Sequence, residues 1–187
     1  DKPLLSLGEA GTFDQFGVMG GSVLRVGDEI WLYYVGWSRS SGVPYNHAIG
    51  LAISRDGGET FSRYGKGPIM TRTPSEPFIQ NSPFVMKIGD LFHMWYSTGL
   101  EWVEHEGRME SIYVMTHATS RDGINWQRDG KPCLATRLEK ECQTNPCLIK
   151  LGERYHLWFC YRRGLDFRNA DGGYRIGYAW SDDLAQW

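Results

Sequence analysis

The amino-acid sequence predicts an all-β chain, organised as a β-propeller of four-stranded antiparallel blades. The first observation behind this is the stretch from Asn81 to Leu134, where two runs rich in Phe, Val, Met, Trp and Tyr flank Gly89-Asp90. A two-residue turn with glycine first is the chemistry of a tight hairpin. A third run, IYVMTHATS, closes on Arg121-Asp122-Gly123, and a fourth begins at Trp126 and reaches Cys133-Leu134. The second observation is recurrence. Arg25-Val26-Gly27-Asp28, Lys87-Ile88-Gly89-Asp90 and Lys150-Leu151-Gly152-Glu153 each precede an aromatic run, and Ser54, Ser120 and Ser181 fall in register behind them. The third is the spacing of positions 25, 87 and 150, about 62 to 63 residues, because a fixed long period of four-strand units marks a propeller.

Taken in order, residues 1–17 end a preceding blade and cross to the next through GEAGTFDQFG. Blades are expected over 18–70, 80–134 and 144–187, all within one domain, the last lacking its outer strand. Lys2-Pro3-Leu4-Leu5 matches Gly67-Pro68-Ile69-Met70 and Lys131-Pro132-Cys133-Leu134, and Trp187 matches Trp126. The expectation is a fragment of about three blades, with a closure through residues 3 to 5 as the alternative. An open array uncovers apolar blade faces, which predicts that the isolated fragment self-associates.

A chain of 187 residues with 41% hydrophobic and 14% aromatic content can bury a core as one domain. A net charge of -2 gives no reason to expect nucleic acid or an anionic membrane surface. No apolar run is long enough to span a bilayer, and no signal peptide is visible. Cys133, Cys142, Cys147 and Cys160 show no CxxC pair or zinc spacing and read as reduced core thiols. That leans towards a cytoplasmic setting, although the compartment is otherwise not encoded. The five histidines lack HExxH or paired spacing, so no metal is expected, and no nucleotide loop or GxSxG serine elbow points to a cofactor or serine nucleophile.

Loop length directs attention to one face. Turns after the first and third strands are short, whereas the connections entering each inner strand and following each second strand are long and emerge opposite. Binding chemistry sits on such loops, so the site is expected there, at the mouth of the central funnel. Counting back eleven positions from each anchor gives Asp14, Glu76 and Glu139, with Glu141 two residues on. Carboxylates converging on a funnel suit glycosidic bond cleavage, which makes Asp14, Glu76 and Glu141 the candidate catalytic set, with acid and base unassigned. Loop carboxylates are also often plain solvated or turn-capping groups. Trp37, Arg39, Tyr45, His47, Asn81, Trp102, Asn145, Arg162 and Arg163 are the candidate substrate-binding residues, with His105, Asp166 and Arg168 beside them. Flat rings among charged donors fit a polyhydroxylated sugar ring.

The inner-strand patterns SPFVMKIGDLFHMWYS and NPCLIKLGERYHLWFCY, with the blade endings IGLAISRDGGETF, THATSRDGINW and IGYAWSDDLAQW, carry a resemblance. The chain resembles the five-bladed β-propeller glycosidase superfamily, the group of glycoside hydrolase families 32, 43, 62, 68 and 130. The resemblance implies a glycoside hydrolase or a phosphorylase-like relative, with a carbohydrate as partner. Families 32 and 43 use an acidic residue at or just before inner strands, often as Asp-Pro. Here Gly20-Gly21, Ser82-Pro83 and Asn145-Pro146 stand in those places, and Glu141-Cys142 matches the Glu-Cys-Pro motif of family 32 only in part. Two other readings follow: a non-catalytic glycan-binding propeller, which the missing Asp-Pro favours, and a sialidase-like propeller, since SRDGGETF fits the Asp-box pattern.

Overall fold

The computed structural model describes residues 2–168 and 171–187, and among them it contains strands and loops but no helix. The first sheet comprises β1 (Gly17–Val26), β2 (Glu29–Ser38), β3 (Asn46–Ser54) and the short β4 (Ser62–Arg63). The second comprises β5 (Gln80–Ile88), β6 (Leu91–His105), β7 (Arg108–Ser120) and β8 (Gln127–Pro132), and the third β9 (Cys142–Leu151), β10 (Arg154–Arg162) and β11 (Arg175–Ser181). Within each sheet the strands pair antiparallel in chain order. The chain is an all-β array of meanders. β5 packs against both β1 and β9, which makes these three the inner strands.

Local chemistry sets the turns. Gly27, Gly89 and Gly152 open the first turn of their sheets at φ of 60°, 59° and 61°, a left-handed geometry that glycine adopts without steric cost. The third-strand turns repeat one hydrogen-bonded knot. Ser54 Oγ accepts from Gly58 N at 2.9 Å and donates to Asp56 Oδ1 at 2.7 Å, and Asp56 accepts from Thr60. Ser120 with Asp122 and Ser181 with Asp183 build the same knot. The donors converging on Asp56, Asp122 and Asp183 hold all three carboxyls below the usual range.

Side chains alternating along the strands bind sheet to sheet. Trp31, Tyr33, Ile49, Leu51 and Ile53 of the first sheet meet Val85, Phe92, Met94 and Tyr96 of the second. The opposite phase of the second sheet, Trp95 and Met115, meets Leu148 and Leu157 of the third. The Trp31 and Phe92 rings stack at 6.0 Å, and Tyr33 Oη donates to the Gly123 carbonyl at 3.0 Å. Gly123 has to be glycine: its φ is 72°, and a Cβ there would stand 2.8 Å from Tyr33 Oη. The cysteines are free, but Cys147, expected among core thiols, is exposed. Its position in β9 falls in the phase of exposed Ile149 rather than of buried Leu148.

The loop entering each of the first two sheets buries a carboxylate that fastens the outer strand. Asp14, 1% exposed, accepts from Arg63 Nε of β4 at 2.7 Å and from Tyr34 Oη of β2 at 3.0 Å. Glu76, 3% exposed, accepts from Arg128 Nη1 of β8 at 2.9 Å and from Tyr96 Oη of β6 at 2.8 Å. Burial, then the neighbouring carboxylate, pushes both tyrosines well above their ordinary range. Removing one partner of such a buried pair strands the other. Glu76→Ala should therefore lower the unfolding free energy by about 3 kcal/mol or more, whereas Glu9→Ala, which breaks an exposed pair with Lys66, should change it little. Urea denaturation of the two variants checks this.

Candidate functional site

A cavity of about 790 Å3 opens where the loops of the three sheets meet, within the size range of small-molecule sites, roughly 300–1,000 Å3. Its floor is made by the inner strands, through Met19, Asn81, Ser82, Thr144 and Asn145. The β1–β2, β5–β6 and β9–β10 pairings all slip register at this level. Ser82 and Asn145 take φ of 50° and 51° there, a conformation uncommon for residues with a Cβ and often found at functional sites. The bulges free polar side chains that knit the sheets together. Ser82 Oγ lies 2.7 Å from Thr144 Oγ1, and Thr144 Oγ1 donates to Asn81 Oδ1 at 3.4 Å.

Asn81 Nδ2 faces His47 Nδ1 at 3.5 Å. Because the Asn81 oxygen accepts from Thr144, its amide nitrogen faces the ring and Nδ1 acts as acceptor, which puts the His47 proton on Nε2. That Nε2 is buried without a partner among the described residues. His47 is wedged between Trp37 at 4.0 Å and Tyr45 at 4.6 Å, and burial lowers its pKa from 6.5 to about 4. A buried, neutral ring lining the cavity thus keeps one unused donor.

The walls come from three long connections: residues 40–45, the β6–β7 hairpin, and the loop after β10. The hairpin contributes Glu110, 5% exposed, gripped on both oxygens by Arg168, with Nη2 at 3.2 Å from Oε2 and Nη1 on Oε1. Arg162, 3% exposed, donates through Nε to Tyr113 Oη and Tyr174 Oη, both at 3.2 Å, and its guanidinium lies 3.6 Å from the Phe167 ring centroid. Tyr113, Phe167 and Tyr174 also line the cavity.

The sequence-chosen residues divide. Trp37, Tyr45, His47, Asn81, Asn145, Arg162 and Arg168 line the cavity; Arg39, Trp102, Arg163, Asp14, Glu76 and Glu141 do not. Arg39 lies over the Phe16 ring at 4.7 Å, Trp102 packs under Tyr45, and Arg163 is exposed with its backbone bonded to Gly172. Asp14 and Glu76 are held in the ion pairs described above. Glu141, 4% exposed, accepts from the backbone of Arg137 and Leu138 and from Gln143 Nε2 at 2.8 Å, and Glu139 is exposed. Asp14, Glu76 and Glu141 thus lie outside this cavity, with oxygens engaged by the groups just named, as buried carboxylates require.

Glu110, Arg108, Tyr113, Phe167 and Tyr174 were not singled out from the sequence. A signal existed for Glu110, which stands in the strand phase of buried Ile112 and Val114, and a charge in an apolar phase marks a buried, paired group. His105 Nε2 and Asp166 Oδ1 pair at 2.8 Å on the rim, and with Glu106 they bring donor atoms within 4.8 Å of one another. Sequence spacing did not group them, since they come from adjacent sheets.

No family model matches the chain. It is 34% identical over all 187 residues to an uncharacterized protein of Mycobacterium tuberculosis, of which it spans 59%. It is 26% identical over 136 residues to a β-1,2-mannobiose phosphorylase of Thermoanaerobacter sp. (strain X514), covering 67% of this chain and 44% of that protein. Among solved structures it superposes on a glycoside hydrolase with a TM-score of 0.72 at 17% identity, over 96% of this chain and 57% of the other. A sucrose-6-phosphate hydrolase from Lactobacillus gasseri gives 0.70 at 16% identity, over 93% and 34%. A structure from the GH130 family of mannoside phosphorylases gives 0.67 at 19%, over 99% and 55%. The fold is that of the propeller glycoside hydrolases.

In this glycosidase-type propeller the cavity lies on the face carrying the long loops, where loop length had placed it. Its histidine gives a pH signature. His47, like His117 packed against His93 and Trp95, is held neutral by burial, each with a pKa lowered from 6.5 to about 4. The unfolded chain takes up these protons first, so the stability they contribute is full above pH 6.5 and is lost as pH falls through about 4. Each histidine should steepen that loss by up to about 1.4 kcal/mol per pH unit. Urea unfolding at pH 7 and pH 4.5 should show a smaller difference for His47→Gln than for the unaltered protein.

Proposed function

We propose that this protein is carbohydrate-active and works on glycosidic bonds in the cavity between the three sheets, with Glu110 as the carboxylate beside the reacting bond. The observation that carries this reading is Glu110 itself: buried, fixed on both oxygens by Arg168, and set in a wall of aromatic rings and amide side chains. Trp37, Tyr45 and Tyr174 offer ring faces to sugar C–H groups. Asn81 and Asn145 offer amide donors and acceptors to its hydroxyls. Similarity to a β-1,2-mannobiose phosphorylase supports the class, with hydrolysis and phosphorolysis both within it.

A second reading, a glycan-binding propeller without turnover, is favoured by one observation. The inner-strand positions Gly20, Ser82 and Asn145 carry no carboxylate, and Asp14, Glu76 and Glu141 are committed to the scaffold.

Kinetics of the full-length protein on a panel of chromogenic glycosides, with and without phosphate, separates the two. Glu110→Gln keeps the shape but removes the negative charge and with it the capacity to act as base or nucleophile. It should lower turnover by at least about a hundredfold while leaving affinity nearly intact. Trp37→Ala should instead cost roughly 1 kcal/mol of binding through the lost ring face. Sugar binding through Trp37 with no turnover of any glycoside would establish the binding-module reading.

A further inference from the structure

The charges around the cavity do not balance. Arg108, Arg162 and Arg168 line it beside a single carboxylate, Glu110, and Glu110 is already taken by Arg168. Among the described residues neither Arg108 nor Arg162 forms an ion pair. Arg108 is exposed, so water screens it. Arg162 is not: it is 3% exposed, and its partners are all neutral. Its Nε donates to two tyrosine hydroxyls and its Nη1 to the carbonyls of Arg163 and Gly164 at 2.8 Å and 3.0 Å. These contacts orient the guanidinium without neutralising it, and among the described residues no acceptor is bonded to Nη2. Holding a buried cation without a counter-charge is costly, and an anionic ligand would relieve that cost.

We propose that the cavity takes an acidic sugar, a hexuronate whose carboxylate is received by Arg162, with Arg108 adding positive charge at the mouth. The inference rests on the glycan reading above and names its substrate class. Three features favour a carboxylate on a sugar over a free phosphate. With Nε and Nη1 already given to protein oxygens, Arg162 has only Nη2 left to offer, which suits a carboxylate better than the larger acceptor set of a phosphate. Among the buried side-chain atoms of the described residues that line the cavity, the donor without a partner is the single Nε2–H of neutral His47, whereas a phosphate brings at least three acceptor oxygens. Aromatic rings stand around the cation, with Phe167 at 3.6 Å, Tyr113 at 5.2 Å and Tyr174 at 5.5 Å, so the anion must arrive on a body that can lie against rings.

Calorimetry on the full-length protein tests this with disaccharides bearing a glucuronate or galacturonate residue, their neutral hexose counterparts, and inorganic phosphate. A uronate disaccharide should bind at least about tenfold more tightly than its neutral match, and the advantage should shrink as salt is raised. Arg162→Gln should abolish the advantage. Because that change also releases the carbonyls of Arg163 and Gly164, Arg108→Gln serves as the second variant: it should cut the advantage by about threefold at low salt, lowering uronate affinity more than neutral-sugar affinity. Equal affinity for acidic and neutral sugars would overturn the inference and leave the glycan reading standing. Binding of phosphate with no uronate preference would overturn it in favour of a phosphate site. Failure of every sugar to bind would overturn both readings.

Discussion

A carboxylate taken out of water must be met by a counter-charge or by several donors, and this requirement governs how the sheets of this protein are closed. Asp14 and Glu76 arrive on loops that precede their sheets in sequence, yet their partners Arg63 and Arg128 lie on the outermost strands. Each pair thereby ties the beginning of a sheet to its end, with Tyr34 or Tyr96 of the second strand as the bridge. β4 is only two residues long, too short for its ladder alone to hold it, and the ion pair supplies the fixation. The third sheet meets the same requirement differently. Phe159 stands where Tyr34 and Tyr96 stand in the other sheets, and Glu141 is satisfied by two backbone N–H groups and Gln143.

The scaffold was legible because it is repetitive. The glycine-first turns, the serine–aspartate knots and the period between positions 25, 87 and 150 are local signals, and each recurs with the same geometry. Loop length pointed to the face on which the cavity lies. The partners of the recurring carboxylates did not follow, for a physical reason: position in a repeat says that a carboxylate recurs and not what it meets. The partners of Asp14 and Glu76 lie 49 and 52 residues away, beyond any local pattern. Glu110 failed the opposite test, since it has no counterpart in the repeat and lies in a hairpin whose strands run to 15 and 13 residues.

The cavity floor shows how one bulge serves two purposes. The register slips at the inner strands turn Asn81, Ser82, Thr144 and Asn145 towards neighbouring sheets, where Ser82, Thr144 and Asn81 form a hydrogen-bonded chain ending at His47. Ser22 extends the same principle to the first sheet by accepting from Val85 N at 3.0 Å. Contacts of this kind make the floor rigid, and a rigid floor positions ligand groups better than a loop can.

That use of the inner strands has a consequence for the chemistry. The polar side chains of the floor are amides and hydroxyls, so the carboxylate that lines this cavity comes from the wall. The long β6–β7 hairpin provides it. Extending β7 back to Arg108 carries Glu110 up beside the loop after β10, where Arg168 can grip it and Arg162 lies among the rings of Tyr113, Phe167 and Tyr174. The wall is thus built by two adjacent sheets, and it needs both: Glu110 without Arg168 would be a buried charge alone, and Arg162 without Tyr113 would lose one of the hydroxyls that orient it. Loop extension in one sheet and a charged loop in the next are therefore a single structural unit, and the polarity of the cavity follows from how that unit is filled.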